Sequence, residues 1–339
     1  MDKGPKIRIV GGTSEEKKAE TRQRIRSNLF NHLASMPENE RGDFEKFEYA
    51  KYPIEIEMIH LANEETSHLM QEAGMEPYDV PVENIHIIPP ELYEKITGTK
   101  KAGRTNRVKE VIILNSAYLD SPVAFYSHIV HELLHLKAHL SIEVQETGGV
   151  HTDETVYRKG VTVLASQHRE RKVGFHKYLE GLHEAIVAET EKRLVLKLLD
   201  QSPLKKEKEW QSSEEAVKLK KQIAKESGVS EEDIIWIDAE DKTKFEIGSY
   251  NSQRKVLNFV CTEIYKKFGE QFKSVDDVYK LFLNVNFTGQ LLPIARLIEK
   301  TFGKGSFRLL GNMGTDKESG VWCLELLKET RTHQTTAMI

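Results

Sequence analysis

Apolar and polar residues follow two different periods in the first third of the chain. The stretch PIEIEMIHL, residues 53–61, alternates isoleucine and methionine with glutamate, which predicts a strand with one solvent-exposed face. The next stretch, NEETSHLMQEAG, predicts a short helix with Asn63 as its N-cap and Gly74 as its C-cap. The apolar run RVKEVIILN at 107–115 predicts a strong strand. Its isoleucine and leucine side chains are typical of a core strand, and its backbone could pair with an extended peptide.

A capped helix is predicted after this strand. Ser121 is a good N-cap and Pro122 suits the first helical turn, so the helix should begin here and continue to about Glu143. The stretches ETVYRKGVTVLAS and RKVGFHKY predict a hairpin joined by the charged turn QHRER. A second long helix is predicted from Lys177 to about Asp200.

Changes in composition predict five segments. Residues 1–50 are charged and weakly patterned, which predicts an N-terminal extension that is in part disordered. The best-patterned segment, 51–200, is predicted to be one domain. Residues 201–233 are dense in lysine and glutamate and predict a charged linker with one helix, followed by a mainly helical C-terminal subdomain at 234–325 and a tail at 326–339.

Two helix starts outside the central domain carry capping signals. Thr13 followed by Glu16 is a capping-box pattern and predicts a polar helix over 14–36. In the charged segment, Ser212 is the predicted N-cap of the amphipathic helix and Gly228 ends it.

Composition limits the class of protein. The 339 residues include 49 lysines and arginines against 53 aspartates and glutamates, a near-balance that argues against a surface for nucleic acid or anionic membranes. The two cysteines, Cys261 and Cys323, suit a reducing compartment and exclude a CxxC metal site. No window approaches the roughly 20 apolar residues of a membrane span, and the N-terminus lacks a signal-peptide core. We therefore expect a cytoplasmic protein without nucleic-acid or membrane partners; its oligomeric state is not predicted.

The strongest chemical signal lies in SHIVHELLHLKAH, residues 127–139. His131 and His135 are four residues apart on one helical face, so both rings can reach an ion about 2.0–2.1 Å away, as in zinc sites. Glu132 then lies beside the metal, where it can take a proton from a metal-activated water. A chance match on a half-buried helix is the alternative, but two neutral histidines among leucines need polar partners. The motif predicts one Zn²⁺ ion, although cobalt or manganese would accept the same ligands.

Neighbouring histidines do not complete this site. A catalytic zinc takes three protein ligands and a water. His139 is eight residues after His131, about 12 Å along a straight helix, so both cannot bind one ion. The same argument excludes His128, and the metzincin pattern requires a histidine where this chain has Ser141.

Acidic residues further along the chain are the remaining candidates for the third ligand. Asp153 and Glu154 lie in the segment after the first helix. Glu184 lies on the second long helix, where Gly181 and Ala188 leave room for a metal, and we favour it. Three other acidic residues of this helix are expected to be ordinary solvated charges: Glu180, Glu189 and Glu191.

These motifs together resemble those of the gluzincin metallopeptidases, in particular the small members called minigluzincins. In that family an HExxH helix is followed by a hairpin and then by a second helix with a motif of the form L-N-E-A/G. HELLH matches the first motif, and LHEA matches the second, with His183 where asparagine is usual. The resemblance covers about residues 53–199. It implies that Glu184 is the third zinc ligand and that 51–200 is a peptide-hydrolysing domain.

The expected fold is α+β: a small, mainly antiparallel sheet with the HExxH helix and the glutamate-bearing helix, plus the helical C-terminal subdomain. The expected function is a zinc metallopeptidase acting on a peptide or protein substrate, in which Glu132 passes a proton from water to the leaving amine. The tetrahedral oxyanion needs a further donor. Four side chains are candidates for it: Tyr157, His176, Tyr178 and Tyr250.

Two alternatives concern function and regulation. The chain could be a peptidase fold without activity that binds partners; the additional segments 201–233 and 250–303 favour this hypothesis, and the intact Glu132 argues against it. Segment 1–50 could be a propeptide or a regulatory cover, and a plain solvated extension is the simpler interpretation.

Overall fold

Helices predominate over three small sheets in the computed structural model, which confirms the predicted α+β class. Among the helices of the described residues, none combines the length and apolar character needed to cross a membrane. The structure describes residues 4–33, 38–119, 121–147, 151–165, 176–200 and 204–336. The chain forms two compact units, each assembled from separated stretches: Met1–Pro5, Ala19–Lys137 and Thr190–Gly248 in the first, and Lys6–Lys18, Ala138–Glu189 and Ser249–Ile339 in the second.

The first unit contains a three-stranded sheet. Its central strand β4 (Val111–Asn115) pairs in parallel with β2 (Ile85–Ile88) and antiparallel with β3 (Gly103–Asn106). Within the described chain β4 therefore has a neighbour on each side, so the idea that its backbone receives a peptide is wrong. β3, by contrast, is an edge strand of this sheet. One face is covered by apolar side chains from α2 (Glu38–Phe47) and α4 (Pro90–Thr97).

The predicted strand at 53–61 is wrong. A single helix, α3 (Pro53–Glu72), covers this stretch and the following predicted helix, so Asn63 lies in mid-helix rather than at a cap. The Asn63 side chain instead bonds both backbone groups of Val80, at 2.9 Å each. The C-cap of α3 is Ala73, one residue before the predicted Gly74, and Gly74 follows with a left-handed backbone, φ 72°. The residues that α3 buries follow the helical period: Met58, Ile59, Ala62, Asn63, Thr66 and Met70.

The central helix α5 (Pro122–Lys137) begins as predicted and ends earlier than predicted. The Ser121 hydroxyl accepts a hydrogen bond from the Ala124 N–H at 3.0 Å, which confirms the N-cap. Residues after 139 form the strand β5 (Leu140–Thr147), so the expected extension of the helix to Glu143 is wrong. LSIEVQE alternates apolar and polar residues, and its pairing with two neighbouring strands decides in favour of the strand.

The second unit contains a five-stranded mixed sheet of β1 (Ile7–Val10), β5, β6 (His151–Lys159), β7 (Thr162–Ala165) and β8 (His176–Tyr178), in the order β1-β5-β6-β7-β8. β1 runs parallel to β5, and the remaining pairs are antiparallel. β7 pairs antiparallel with β8, as the predicted hairpin requires, and the turn QHRER lies outside the described residues. Residues 154–159 of the first predicted strand belong to β6 instead, which pairs with β7, so that stretch forms two strands rather than one.

The glutamate-bearing helix α6 (Glu180–Leu198) lies within the range predicted for it. The described residues after 250 are mainly helical, as predicted, and residues 326–336 of the expected tail belong to the last helix. The bounds of these helices are α9 Asn251–Phe268, α10 Val275–Thr288, α11 Leu291–Phe302, α12 Ser306–Gly311 and α13 Lys317–Thr336.

Two further regions differ in detail from the prediction. The amphipathic helix of the charged segment has Ser213 rather than Ser212 as its N-cap, and Gly228 ends it as predicted. It packs apolar side chains on a two-stranded hairpin. The N-terminal stretch contains two helices as well as β1, and the domain boundaries proposed from composition stay predictions. The bounds are α1 Glu15–Asn31, α7 Lys205–Gln211, α8 Glu214–Ser227, β9 Ile234–Ile237 and β10 Phe245–Ile247.

The turn before β4 buries a carboxyl group in the first unit. Glu110 has a left-handed backbone, with φ 52°, and its side chain is fully buried. Neither carboxyl oxygen has a hydrogen-bond partner in the described part of the chain, and Arg107 Nη1 lies 4.0 Å from its Oε1. Burial, partly offset by Arg107, raises the pKa of Glu110 to about 7.

We expect Glu110→Gln to remove a pH-dependent loss of stability. Between about pH 4.5 and 7 the folded protein keeps a proton on Glu110 that the unfolded chain releases. The unfolding free energy of the wild type should therefore fall as the pH rises through this range, by about 3 kcal/mol. Glutamine does not titrate, so the unfolding free energy of the variant relative to that of the wild type should rise by this amount between pH 4 and pH 8. Urea unfolding at both pH values measures the difference, and parallel pH dependence in the two proteins would contradict it.

Candidate metal centre

Helix α5 presents the HExxH residues on a largely buried helix. Val130, Leu133 and Leu134 are fully buried, whereas His131 and His135 are half-buried. The two imidazole rings lie with centroids 4.8 Å apart at 68°, and their Nε2 atoms are 3.1 Å apart. The i, i+4 spacing therefore places both rings on one side of the helix, as predicted.

Glu184 is the acidic residue that completes a group of three side chains that could hold a metal ion. One ligand atom each from His131, His135 and Glu184 lie within 4.8 Å of one another, and no other such group occurs among the described residues. Glu184 is positioned by α6, which also carries Glu191 two turns later on the same face. The rejected alternatives, Asp153 and Glu154, are exposed on β6 and outside this group.

Glu191 is a buried partner of the first histidine, and the prediction that it is a solvated charge is wrong. Its Oε2 lies 2.8 Å from His131 Nδ1, and its Oε1 accepts a short hydrogen bond from the Ser127 hydroxyl. Burial opposes ionisation of Glu191, but the bonds from His131 and Ser127 outweigh it and lower its pKa. Because Nδ1 is engaged, Nε2 is the His131 nitrogen left for a metal.

The prediction for the other two acidic residues of α6 is mixed. Glu189 is buried and forms an ion pair with Arg254, with the guanidinium Nε 3.1 Å from its Oε2, so it is not a solvated charge. Glu180 is partly exposed and bonds Lys177. Sequence spacing could have identified Glu191, since seven residues separate it from Glu184, but not its partner His131.

The two imidazole nitrogens are spaced like two ligands of a tetrahedral zinc ion. Two nitrogens bound to zinc at the usual distances and angle are about 3.3–3.4 Å apart. The 3.1 Å between the two Nε2 atoms is close to this value without any change of rotamer. Two imidazoles and one carboxylate are also a ligand set of catalytic zinc, which keeps its fourth position for water. The geometry is therefore compatible with Zn²⁺, although it does not distinguish zinc from other divalent metals.

The Glu132 side chain lies against β3 and is 7% exposed. The Thr105 hydroxyl lies 2.6 Å from its Oε2 and 3.0 Å from its backbone oxygen. A Cβ atom on Gly103 would be 2.7 Å from its Oε1. Burial and the Glu132 charge raise the pKa of nearby Tyr93 to about 12, so this phenol is neutral. Sequence reasoning missed the two β3 residues, because threonine and glycine in a strand form no recognisable motif.

His128 and His139, which helix geometry excludes as metal ligands, have other side-chain contacts. His128 Nε2 lies 3.6 Å from Glu246 Oε1, and burial lowers the pKa of this histidine. His139 follows α5 rather than belonging to it, and its Nε2 is 2.7 Å from the Ser141 hydroxyl. Neither is part of the group of three side chains that could hold a metal ion.

The residue that replaces the expected asparagine of the second motif is buried in the second unit. His183 Nδ1 lies 2.9 Å from the Thr162 hydroxyl, so the imidazole joins α6 to β7. The backbone of Gly160, with φ 53°, approaches its ring so closely that a Cβ there would be 2.9 Å from Nε2. This histidine therefore has a packing role that the motif alone does not predict.

The four candidate oxyanion donors lie on three elements of the second unit. Tyr157 is half-buried at a bulge of β6. His176 and Tyr178 are neighbours on one face of β8, with ring centroids 4.2 Å apart. Tyr250 precedes α9 in a left-handed conformation, with φ 54°. Their proposed role stays a prediction.

No family model matches the chain, and neither a curated protein nor a solved structure matches it. The resemblance to gluzincins therefore depends on the two motifs alone and stays a prediction. What the fold adds is independent of any relative: the predicted ligands come from two helices, and their ligand atoms lie close together.

Proposed function

We propose that this chain is a zinc-dependent peptidase. The observation that supports this function most is the group formed by His131, His135 and Glu184, whose ligand atoms lie within 4.8 Å of one another. Glu132 is the next residue after the first of these ligands, and its carboxylate is the base that water activation requires. A purely structural zinc site is usually closed by four protein ligands and has no need of such a base.

Each residue then has a defined task. His131, His135 and Glu184 would hold Zn²⁺, which, when bound, supplies a Lewis acid for water and for the scissile carbonyl. Glu132 takes a proton from the attacking water as its oxygen adds to the carbonyl carbon. Glu132 then gives this proton to the amide nitrogen as the C–N bond breaks, which yields a carboxylic acid and an amine. Glu191 keeps the His131 ring oriented through its hydrogen bond to Nδ1.

The substrate would be an extended peptide that adds to the sheet beside β3. This strand ends the three-stranded sheet in the described chain, and two of its residues face Glu132. Backbone pairing on such an edge aligns a peptide without selecting its side chains. β3 thus takes the place of the strand at 107–115 that the sequence suggested for this purpose.

We expect the zinc-loaded full chain to cleave some members of a panel of unstructured peptides. Mass spectrometry of the products gives the cleaved bonds. Activity should disappear when a chelator removes the metal and return when stoichiometric zinc is added, because the ligand group and not the fold supplies the reactive centre. If no peptide is cleaved at full zinc occupancy, the proposal fails and the hypothesis of a non-catalytic binding protein is favoured.

A further inference from the structure

Two residues of β3 enclose the carboxyl group of Glu132 from one side. Gly103 and Thr105 are separated by one residue, so they face the same side of the strand. The Thr105 hydroxyl lies 2.6 Å from Oε2, and the Gly103 backbone approaches Oε1 so closely that a Cβ would be 2.7 Å away. The Glu132 side chain is therefore held by a hydrogen bond at one oxygen and a steric wall at the other.

The strand that makes these contacts is itself firmly positioned. β3 pairs antiparallel with β4, and Thr105 is opposite the fully buried Ile112. Between the two contact residues, the Arg104 guanidinium donates to the Thr97 carbonyl on the other side of the strand. At the end of β3, the Asn106 side chain accepts hydrogen bonds from two following backbone N–H groups, which fixes the turn. The Thr105 hydroxyl consequently has little freedom to follow a displaced carboxylate.

We propose that Thr105 is a positioning residue for the general base and that Gly103 is required because any side chain there would occupy the space of the carboxyl group. This inference depends on the proposed peptidase function and deepens it. A glutamate side chain has three rotatable bonds, and proton transfer requires its carboxylate within hydrogen-bonding reach of the water. A hydrogen bond from a rigid strand selects one orientation. The strand that would align the peptide thereby also orients the base.

The direct test compares Thr105→Val with Thr105→Ser. Valine keeps the shape and the strand preference of threonine but lacks the hydroxyl, whereas serine keeps the hydroxyl. With a cleaved peptide, the valine variant should lose about 10- to 100-fold in kcat, the effect of a misplaced catalytic group, at unchanged KM and unchanged zinc content. The serine variant should recover most of kcat. Unchanged kcat in the valine variant would overturn the proposal.

Gly103→Ala tests the steric half of the proposal. The added Cβ would contact Oε1, Cγ and Cδ of Glu132 at 2.7–3.0 Å, so the carboxyl group must turn away and kcat should fall. Gly42→Ala is the matched control, because nothing lies within 4 Å of a Cβ at that position. Thr301→Val is the control for loss of a buried hydroxyl that bonds another partner: the Thr301 hydroxyl donates to the Leu297 carbonyl within α11. Both controls should keep wild-type kcat, and an equal loss in the controls would overturn the inference.

A thermal unfolding measurement tests the hydrogen bond between Thr105 and Glu132 without any peptide substrate. Thr105→Val should lower Tm in the wild type and have a clearly smaller effect in a Glu132→Ala background, because only one protein still has the side-chain bond to lose. An equal shift in both backgrounds would show that Thr105 does not hold Glu132 and would overturn the proposal. If the wild type cleaves no peptide, the proposed function fails by itself, while the two Tm shifts still support or overturn the role of Thr105 in holding this carboxylate.

Discussion

Glu132→Gln should abolish peptide cleavage while one zinc ion stays bound per chain. The amide has the shape of the carboxylate, so it fits between Gly103 and Thr105 without displacing either. It cannot take a proton from water at neutral pH, and general-base catalysis is worth about 10²–10⁴-fold in rate. We therefore expect kcat/KM for a cleaved peptide to fall by at least this factor. The residues that would hold zinc are unchanged, so metal content measured by plasma mass spectrometry should equal that of the wild type.

The matched control is Glu57→Gln, which removes the same charge from an exposed position of α3. It should cleave at the wild-type rate. If the variant at position 132 also cleaves at the wild-type rate, then Glu132 is not the base and the assigned mechanism is wrong. If that variant loses its zinc as well, the loss of activity no longer identifies a proton-transfer role, and the mechanism would then need the metal-independent evidence from the Thr105 variants.

Local signals predicted the start of the central helix and the residues on it. Ser121 caps the helix through its hydroxyl, and the i, i+4 spacing alone decides that His131 and His135 share a face. These predictions succeeded because each depends on residues within a few positions of one another. The same holds for Gly74 and Gly228, which adopt the left-handed conformation expected after a helix.

Periodicity failed where a short stretch is compatible with two periods. Residues 54–58 alternate isoleucine or methionine with glutamate, as a strand would, but the buried positions of α3 continue at helical spacing to Met70. At LSIEVQE the reverse error occurs: the predicted helix includes the first four residues of this stretch, which forms β5 because β1 and β6 pair with it on both sides. Neighbouring strands that lie far away in sequence decide such cases, and a single stretch does not contain this information.

Long-range partners of the site were the least predictable part. Glu191 is 60 residues from His131 in the chain, and Thr105 is 27 residues from Glu132. The seven-residue spacing places Glu191 on the same face of α6 as Glu184, but nothing in the local sequence identifies His131 as its partner. The motif therefore indicates which side chains could hold a metal, whereas the side chains that orient them become visible only once α5, α6 and β3 are placed together.

Glu184→Ala should weaken zinc binding more than any other single change on α6. It reduces the proposed ligands from three to the two imidazoles of α5, and a catalytic zinc site ordinarily keeps three protein ligands. Glu191→Gln is the informative comparison, because it removes the carboxylate partner of His131 but no ligand. Loss of such an outer partner lowers metal affinity by about 10- to 100-fold. We therefore expect the zinc affinity to fall within this range in Glu191→Gln and to fall further in Glu184→Ala. Competition titrations against a chromophoric chelator measure both affinities.

Alanine at Asp153 or Glu154 provides the controls for this experiment, since both were sequence-based alternatives for the third ligand and both are exposed on β6. Neither substitution should change the zinc affinity. If Glu184→Ala binds zinc as tightly as the wild type and one of the β6 variants loses zinc affinity, the third ligand lies on β6 and not on α6. Glu184 and Glu191 share one face of α6, so the two variants also test the position of this helix. Both should lower the zinc affinity, Glu184→Ala more than Glu191→Gln. If α6 lay elsewhere, neither substitution would change the zinc affinity.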